Sequence, residues 1–294
     1  MSVLQRILAL ISLALSTSDA CAQANLQWKF AKGQIYYAQR ITTQKQTVTV
    51  NGKEFEQTRE SVWHVRLDVK EQMFESFVIQ ATLAKVEHHV VGAVDAQVMD
   101  PKLQDKQQGS IFTLHVAPTG LIQEMRGYEE FLQRLAGTDK ARRAALQTTL
   151  SEATVKEAFA DLFGPLPASK VQRGDSWRRE VFEPIPHFGG LRSSVVYVHD
   201  GGDKERERIV YTIQTKYEAP KKDGTSLFHV RDGTIESDKA HGEIDFDRAG
   251  GRLIAHSRSM LLQGRLTIEA LDRRQTLDFS SVNGVKIRVQ LTGS

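Results

Sequence analysis

Apolar and polar side chains alternate along most of this sequence, which is the pattern of strands with one buried face and one wet face. The clearest example is the segment 61–70, where Trp63, Val65, Leu67 and Val69 alternate with His64, Arg66, Asp68 and Lys70. An upstream segment, 35–50, meets this strand through Asn51-Gly52. That dipeptide predicts a tight hairpin, because both of its residues accept positive φ angles.

The alternation continues through short segments that are separated by turn residues. Further strands are predicted at 77–83, 112–116, 121–126, 177–182, 191–199, 208–217, 227–230, 243–247, 253–262 and 266–271. Gly250-Gly251 and Asn283-Gly284 are interpreted as hairpin turns, the second within a final strand pair, and the polar stretch 100–109 as a loose connection. The connections are short and no strand–helix–strand alternation occurs, which excludes a doubly wound parallel sheet.

The middle of the chain changes to helical periodicity. Helices are predicted at 128–135, 141–150 and 154–163, with Thr154 and Glu157 at the spacing of a capping box and Gly164-Pro165 as the stop.

The predicted fold class is α+β and mostly antiparallel β. We expect a long curved, half-barrel-like sheet with a few helices inserted mid-chain. The expected organisation is a signal peptide (1–24), an N-terminal β-rich half (25–127), a helical middle (128–170) and a C-terminal β-rich half (171–294), with the last three forming one continuous domain.

The N-terminus has the pattern of a secretory signal peptide, with an apolar run over 7–15 followed by small polar residues. The run is shorter than the roughly 20 residues of a bilayer-spanning helix. Ala22-Gln23-Ala24 offers a small-x-small cleavage site that would release a chain starting at Asn25. Alternatively, Cys21 could be the lipidated first residue of a lipoprotein, although Ser18-Asp19 fits that signal poorly. The prediction is an exported protein, periplasmic or secreted, with membrane attachment only if Cys21 is lipidated.

The composition narrows the classes of partner. The net charge is only +3, and the basic pairs are scattered among acidic residues, which argues against a nucleic-acid surface. Cys21 is the single cysteine, so loss of the leader would leave a fold held by its core without disulfides.

One serine-hydrolase pattern occurs. Gly174-Asp175-Ser176 resembles the nucleophile block of the Gly-Asp-Ser esterase family, and Asp238 with His241 would supply its acid and base. In that family the serine ends the first strand of an α/β sheet, whereas Ser176 lies mid-chain in β-patterned sequence. The interval to Asp238 is also too short for the intervening elements. A turn that opens a strand explains the segment, so no catalytic residue is assigned.

A metal site is the second candidate for chemistry. His241, Glu243, Asp245 and Asp247 alternate along one predicted strand and therefore share a face. Four such positions extend too far for a single ion, so a polar outer face is expected instead. No phosphate loop or dinucleotide motif occurs, and neither a cofactor nor metal ligands are assigned.

Several segments together resemble a family of exported bacterial proteins of unknown function. The matching segments are 26–30 (LQWKF), 32–37 (KGQIYY), 117–122 (APTGLI), 174–177 (GDSW), 246–247 (FD) and 251–253 (GRL). The resemblance implies secretion and a β-rich fold, and it brings no activity or catalytic residues. More distantly, the pattern looks like the half-barrel carriers of lipoproteins and lipids, a likeness of fold alone.

The expected function is therefore non-enzymatic. We expect a secreted or envelope protein whose curved sheet and helices enclose a pocket for an apolar or lipid-like ligand. The alternatives are a structural or interaction protein of the cell envelope with a packed core and no ligand, and a hydrolase that uses Ser176, Asp238 and His241.

Overall fold

A computed structural model describes residues 23–92, 101–185, 188–203, 205–220, 229–270 and 273–291. In these ranges the chain forms one large curved antiparallel sheet of eleven strands. The strands are β1 (Ile35–Val50), β2 (Lys53–Gln72), β3 (Phe77–Gly92), β4 (Ile111–Val116), β5 (Ile122–Arg126), β6 (Ser176–Ile185), β7 (Gly189–Gly202), β8 (Arg206–Glu218), β9 (His229–Asp247), β10 (Arg252–Ala270) and β11 (Arg273–Leu291).

The strand order is β5-β4-β3-β2-β1-β11-β10-β9-β8-β7-β6, so β5 and β6 are the two edges and the sheet is not a closed barrel. Neighbours in the sheet are also neighbours in the chain, except at β1 and β11. These two strands join the first half of the chain to the second, with Tyr36 opposite Leu291 and Val50 opposite Leu277. The predicted α+β, mostly antiparallel fold is confirmed.

Four helices accompany the sheet in the described ranges: α1 (Pro101–Gln107), α2 (Tyr128–Ala136), α3 (Lys140–Thr149) and α4 (Glu152–Ala160). The last three lie between β5 and β6 and confirm the predicted helices at that point. The prediction of a loose connection over 100–109 was wrong, because most of that stretch forms α1. In the described part of the chain, no helix has the length and apolar character needed to cross a bilayer.

The start of α4 differs from the predicted capping box. Ser151 is the N-cap, and its Oγ accepts a hydrogen bond from the backbone N–H of Thr154 at 3.2 Å. Thr154 is therefore the third helical residue and not the cap. The predicted cap was therefore three residues too late in the chain. Three residues is also the spacing between an N-cap side chain and the backbone N–H that it accepts from.

Two of the three predicted glycine turns are confirmed. Asn51 and Gly52 join β1 to β2 with φ angles of 51° and 77°, and Gly250-Gly251 lies between β9 and β10. The hairpin at Asn283-Gly284 was wrong, because β11 runs straight through it. Gly284 pairs with Thr43 on one side and Ser259 on the other, which holds it in extended backbone. The segments 253–262 and 266–270 likewise belong to one strand, β10, and residue 271 of the second prediction lies outside the described residues.

One half of the sheet's inner face, the face toward the helices, is densely packed. The segment 23–34 lies against it and contributes Trp28 and Phe30, whose rings stack at 4.5 Å. Trp28 also contacts Phe163 and Phe246 edge-on, and its Nε1 donates a hydrogen bond to the Phe163 carbonyl at 2.7 Å. We call the half of the inner face that is covered by the segment 23–34 and the helices the closed half.

The predicted signal peptide and the lipidation site at Cys21 lie outside the described residues and stay predictions. Ala24, at the expected cleavage site, is described and is fully buried. It forms a two-way backbone bridge with Val171, at 2.7 and 2.9 Å. The backbone of Ala24 is thus part of the fold.

Candidate functional site

The other half of the inner face carries an apolar floor that no described helix covers. The residues of this second apolar cluster come from strands β6 to β11 and the β6–β7 connection. Its buried members are Leu191, Ile235, Leu262 and Leu266, and its partly buried members are Ile185, Phe188, Tyr217, Val230, Met260, Leu277 and Phe279. These residues share one face of the sheet because the side chains of a strand point inward at every second position. We call this region the inner cleft.

An ionic cluster closes the inner cleft where it meets the packed half. Asp161, the residue that follows α4, accepts a hydrogen bond from Arg40 of β1, with Oδ2 2.9 Å from Nη2. Arg258 of β10 places its own Nη2 3.7 Å from the same oxygen. Both arginines thus share one carboxylate. Arg40 is further fixed by Thr42, whose Oγ1 lies 2.6 Å from Nη1, and by the Trp63 ring.

This cluster keeps Asp161 ionised. Burial alone would raise the pKa of its carboxyl, but the charges of Arg258 and Arg40 hold the pKa at about 2. Arg40 and Asp161 have side chains only 12% and 16% exposed. An ion pair this sheltered from water depends on both partners being present.

His256 links the cluster to Tyr211 of β8. Its Nδ1 lies 3.2 Å from the backbone carbonyl of Asp161, so Nδ1 carries the proton and donates. Nε2 then accepts from the hydroxyl of Tyr211, 2.6 Å away. This arrangement suits a neutral imidazole, and burial lowers the pKa of His256 in the same direction. Burial also raises the pKa of the Tyr211 hydroxyl, which keeps it a donor.

Gly242 makes room for that tyrosine. It lies directly opposite Tyr211 across the β8–β9 pair. A Cβ atom at Gly242 would come within 2.3 Å of the Tyr211 hydroxyl oxygen and 2.5 Å of the Ser257 carbonyl. The tyrosine therefore lies flat over the glycine and reaches His256 on the next strand.

Strand β6 forms a further side of the inner cleft. Glu183 keeps contact with solvent, yet burial raises the pKa of its carboxyl, and the charges of Arg258 and Asp161 also act on it. Nearby on β6, Arg179 forms an ion pair with Glu157 of α4 at 3.5 Å. The cleft thus combines a charged end with an apolar floor.

The outer face of the sheet has a broad depression of about 840 Å³. Its lining residues belong to strands only, and no helix of the described ranges lines it. Apolar positions such as Val196 and Val210 lie beside charged ones, and Arg208 pairs with Glu243 at 2.7 Å. This surface is a weaker candidate for a binding site than the inner cleft.

The structure does not assemble the serine-hydrolase arrangement. Ser176 opens β6 and pairs with β7, whereas His241 lies on β9 and pairs with β8 and β10. Three strand spacings separate β6 from β9, which is about 14 Å. Ser176 and His241 are therefore too far apart for proton transfer, wherever Asp238 lies.

The acidic positions of β9 behave as the polar outer face that the alternation indicates. Ile244 and Phe246 are fully buried on the inner side. On the outer side, Glu243 pairs with Arg208, and Asp247 pairs with Arg252 at 3.0 Å. Within the described residues, no group of three or more His, Cys, Asp or Glu side chains could hold a metal ion.

Sequence reasoning missed the ionic cluster entirely. A signal was nevertheless present: Arg40 continues the phase of Tyr36 and Ala38, so the alternation places a charge on the buried face. Arg258 likewise falls in phase with Leu262 on β10. Charges at inward positions of an amphipathic strand are rare unless they are paired.

Comparisons with known proteins show likeness of fold only. No protein-family model matches the chain, and no curated protein matches it. Among solved structures, lipovitellin, from a structure of lipid–protein interactions, has a TM-score of 0.47 and 9% identity over 90% of this chain. The chain spans about a quarter (26%) of the lipovitellin chain.

Two bacterial structures are similar at lower TM-scores. A COG4313 outer membrane channel from Pseudomonas putida F1 has a TM-score of 0.23 and 8% identity, over 90% of this chain and 98% of that one. A DUF1329 family protein from Desulfovibrio piger ATCC 29098 has a TM-score of 0.17 and 10% identity, over 89% and 88%. At such similarity none of these proteins lends its function to this chain. The resemblance to exported proteins of unknown function stays a prediction.

Proposed function

We propose that this chain is a non-enzymatic, exported binding protein that holds an apolar or lipid-like ligand in the inner cleft. The observation that supports the proposal is the contrast between the two halves of the inner face. Helices and the segment 23–34 cover the closed half, whereas the second apolar cluster contains no helix residue. Its partly buried side chains, such as Met260 and Phe279, keep contact with solvent.

The energetics favour occupation of this floor. Each Å² of apolar surface removed from water contributes about 25 cal/mol. A concave apolar surface with a few polar groups at one end is the usual form of a small-molecule site. The inner cleft has this form, with Arg258 and Glu183 at its charged end. A ligand without charge or hydrogen-bonding capacity gains mainly from the floor.

Binding of a neutral apolar dye such as Nile red tests the proposal, because its fluorescence rises on transfer from water to an apolar site. We expect saturable binding by the folded protein. Met260→Glu, which puts a carboxylate into the floor, should weaken binding by tenfold or more. Met73→Glu is the matched control, since Met73 is 51% exposed at the β2–β3 turn, and it should bind as the parent does.

Circular dichroism of both variants establishes that each is folded. Absence of saturable binding, or equal binding by the two variants, would contradict the proposal. That result would favour the alternative, a structural or interaction protein of the envelope whose cleft takes no ligand.

A further inference from the structure

We propose that the ligand of the inner cleft is an acidic amphiphile, a long apolar chain with a carboxylate or phosphate head, and that Arg258 receives the head. This inference rests on the proposed function and specifies its ligand class. Arg258 lies on β10 at the boundary between the ionic cluster and the apolar floor. Beyond Arg258 the same strand carries Met260, Leu262 and Leu266, which belong to the apolar floor.

Arg258 has donors to spare. Among the described residues its one close polar contact is Asp161, at 3.7 Å, which is beyond hydrogen-bond distance. Its side chain is 33% exposed, so it is in part accessible to a ligand. A guanidinium presents five N–H donors in a planar fork that matches a carboxylate or a phosphate.

The neighbouring charges leave this end of the cleft short of anions. Asp161 is shared by Arg40 and Arg258, and the buried Nε of Arg40 has no hydrogen-bond partner among the described residues. Glu183 is the other carboxyl that acts on Arg258, and burial disfavours its charged form. An acidic head beside Arg258 would supply the missing negative charge.

The floor has the length that an acyl chain requires. Leu266 lies eight residues beyond Arg258 on β10, which is about 27 Å along a strand. One leaflet of a bilayer spans about half of a hydrocarbon core roughly 30 Å thick. A chain anchored by its head at Arg258 therefore finds apolar side chains along its whole length.

The test compares oleate with its neutral methyl ester, each measured by displacement of Nile red. We expect the parent protein to bind oleate at least tenfold more tightly than methyl oleate. Arg258→Gln should bring that ratio close to one. Arg265→Gln on the same strand is the matched control, since Arg265 is 67% exposed and pairs with Asp278, and it should keep the parent's ratio.

Further ligands distinguish a carboxylate head from a phosphate head, and the head alone from the head joined to a chain. Lysophosphatidic acid tests a phosphate head on one chain, and inorganic phosphate or acetate tests the head without a chain. We expect tight binding only when head and chain occur together.

Equal affinity for oleate and methyl oleate, or an unchanged ratio in Arg258→Gln, overturns the acidic head while the apolar cleft stands. Absence of any binding, including that of Nile red alone, overturns the proposed function and the acidic ligand together.

Discussion

Asp161 is the residue on which the charged end of the inner cleft depends. Its carboxylate joins Arg40 of the first strand to Arg258 of the tenth, and its backbone carbonyl fixes the tautomer of His256. Three distant parts of the chain thus meet at one position after α4. Removing such a buried, shared carboxylate leaves its partners charged and desolvated, so its substitution lowers the free energy of unfolding strongly.

Asp161→Asn should lower the free energy of unfolding by about 3 kcal/mol, because it leaves two arginines without their counter-charge. Urea denaturation followed by circular dichroism measures the loss. Asp278→Asn, which breaks the exposed pair with Arg265, should cost less than about 1 kcal/mol. Equal losses in the two variants would contradict the role assigned to Asp161.

The buried neutral imidazole of His256 predicts a pH dependence of stability. Its pKa is lowered from 6.5 in the folded protein, so below that pH the unfolded chain binds a proton that the folded protein does not. Stability should therefore fall as the pH drops below 6.5, and the His256→Gln variant should show a smaller fall between pH 7 and pH 5.5. An identical pH dependence in the variant would show that His256 is not held neutral.

These residues could not be predicted as a site from the sequence. Arg40, Asp161 and Arg258 are far apart in the chain and form no motif, and their contacts depend on how the sheet curves. The alternation indicates only that Arg40 points inward, not which carboxylate it meets. The patterns that the sequence does display, at Ser176 and along β9, lie on the outer face and are explained by a strand opening and by ion pairs.

At the scale of elements, the strand pattern was informative and the glycine signals were less so. Asn51-Gly52 and Asn283-Gly284 are the same dipeptide, yet the first forms a turn and the second lies within β11. Pairing decides the difference, since β11 has a partner on each side over Asn283-Gly284. Local sequence alone does not contain that information. The same limit explains why β10 was predicted as two strands.

Alanine substitution distinguishes the two glycines. Gly52→Ala should lower the free energy of unfolding by about 1–2 kcal/mol, because Gly52 has a φ of +77° that an L-residue adopts with strain. Gly284→Ala should cost less, because its backbone is extended. The atom nearest to the Cβ that alanine would add is Thr43 Oγ1, at 2.7 Å, and it belongs to a side chain that can rotate. Thermal denaturation compares them, and a larger loss at Gly284 would argue against the continuous strand.

At the scale of the molecule, eleven strands form one curved sheet, and the described helices pack against only part of its inner face. The aromatic residues of the segment 23–34 and the helices pack one half, and the inner cleft occupies the other. Apolar side chains left in contact with water on a concave surface are typical of proteins that bind apolar partners. The antiparallel sheet follows from the alternation of apolar and polar residues. Which half of its inner face is covered depends on where the helices pack, and the alternation does not specify that.

The most direct test is mass spectrometry of the full chain expressed with its own N-terminus in a bacterial host and purified under non-denaturing conditions. Native spectra give the mass of the complex, and solvent extraction of the same sample identifies any bound molecule. We expect the protein to carry a long-chain amphiphile, and the Met260→Glu variant to lose that mass. A bare polypeptide mass, together with an extract that contains no lipid above the level found with Met260→Glu, would contradict the proposed binding of an amphiphile.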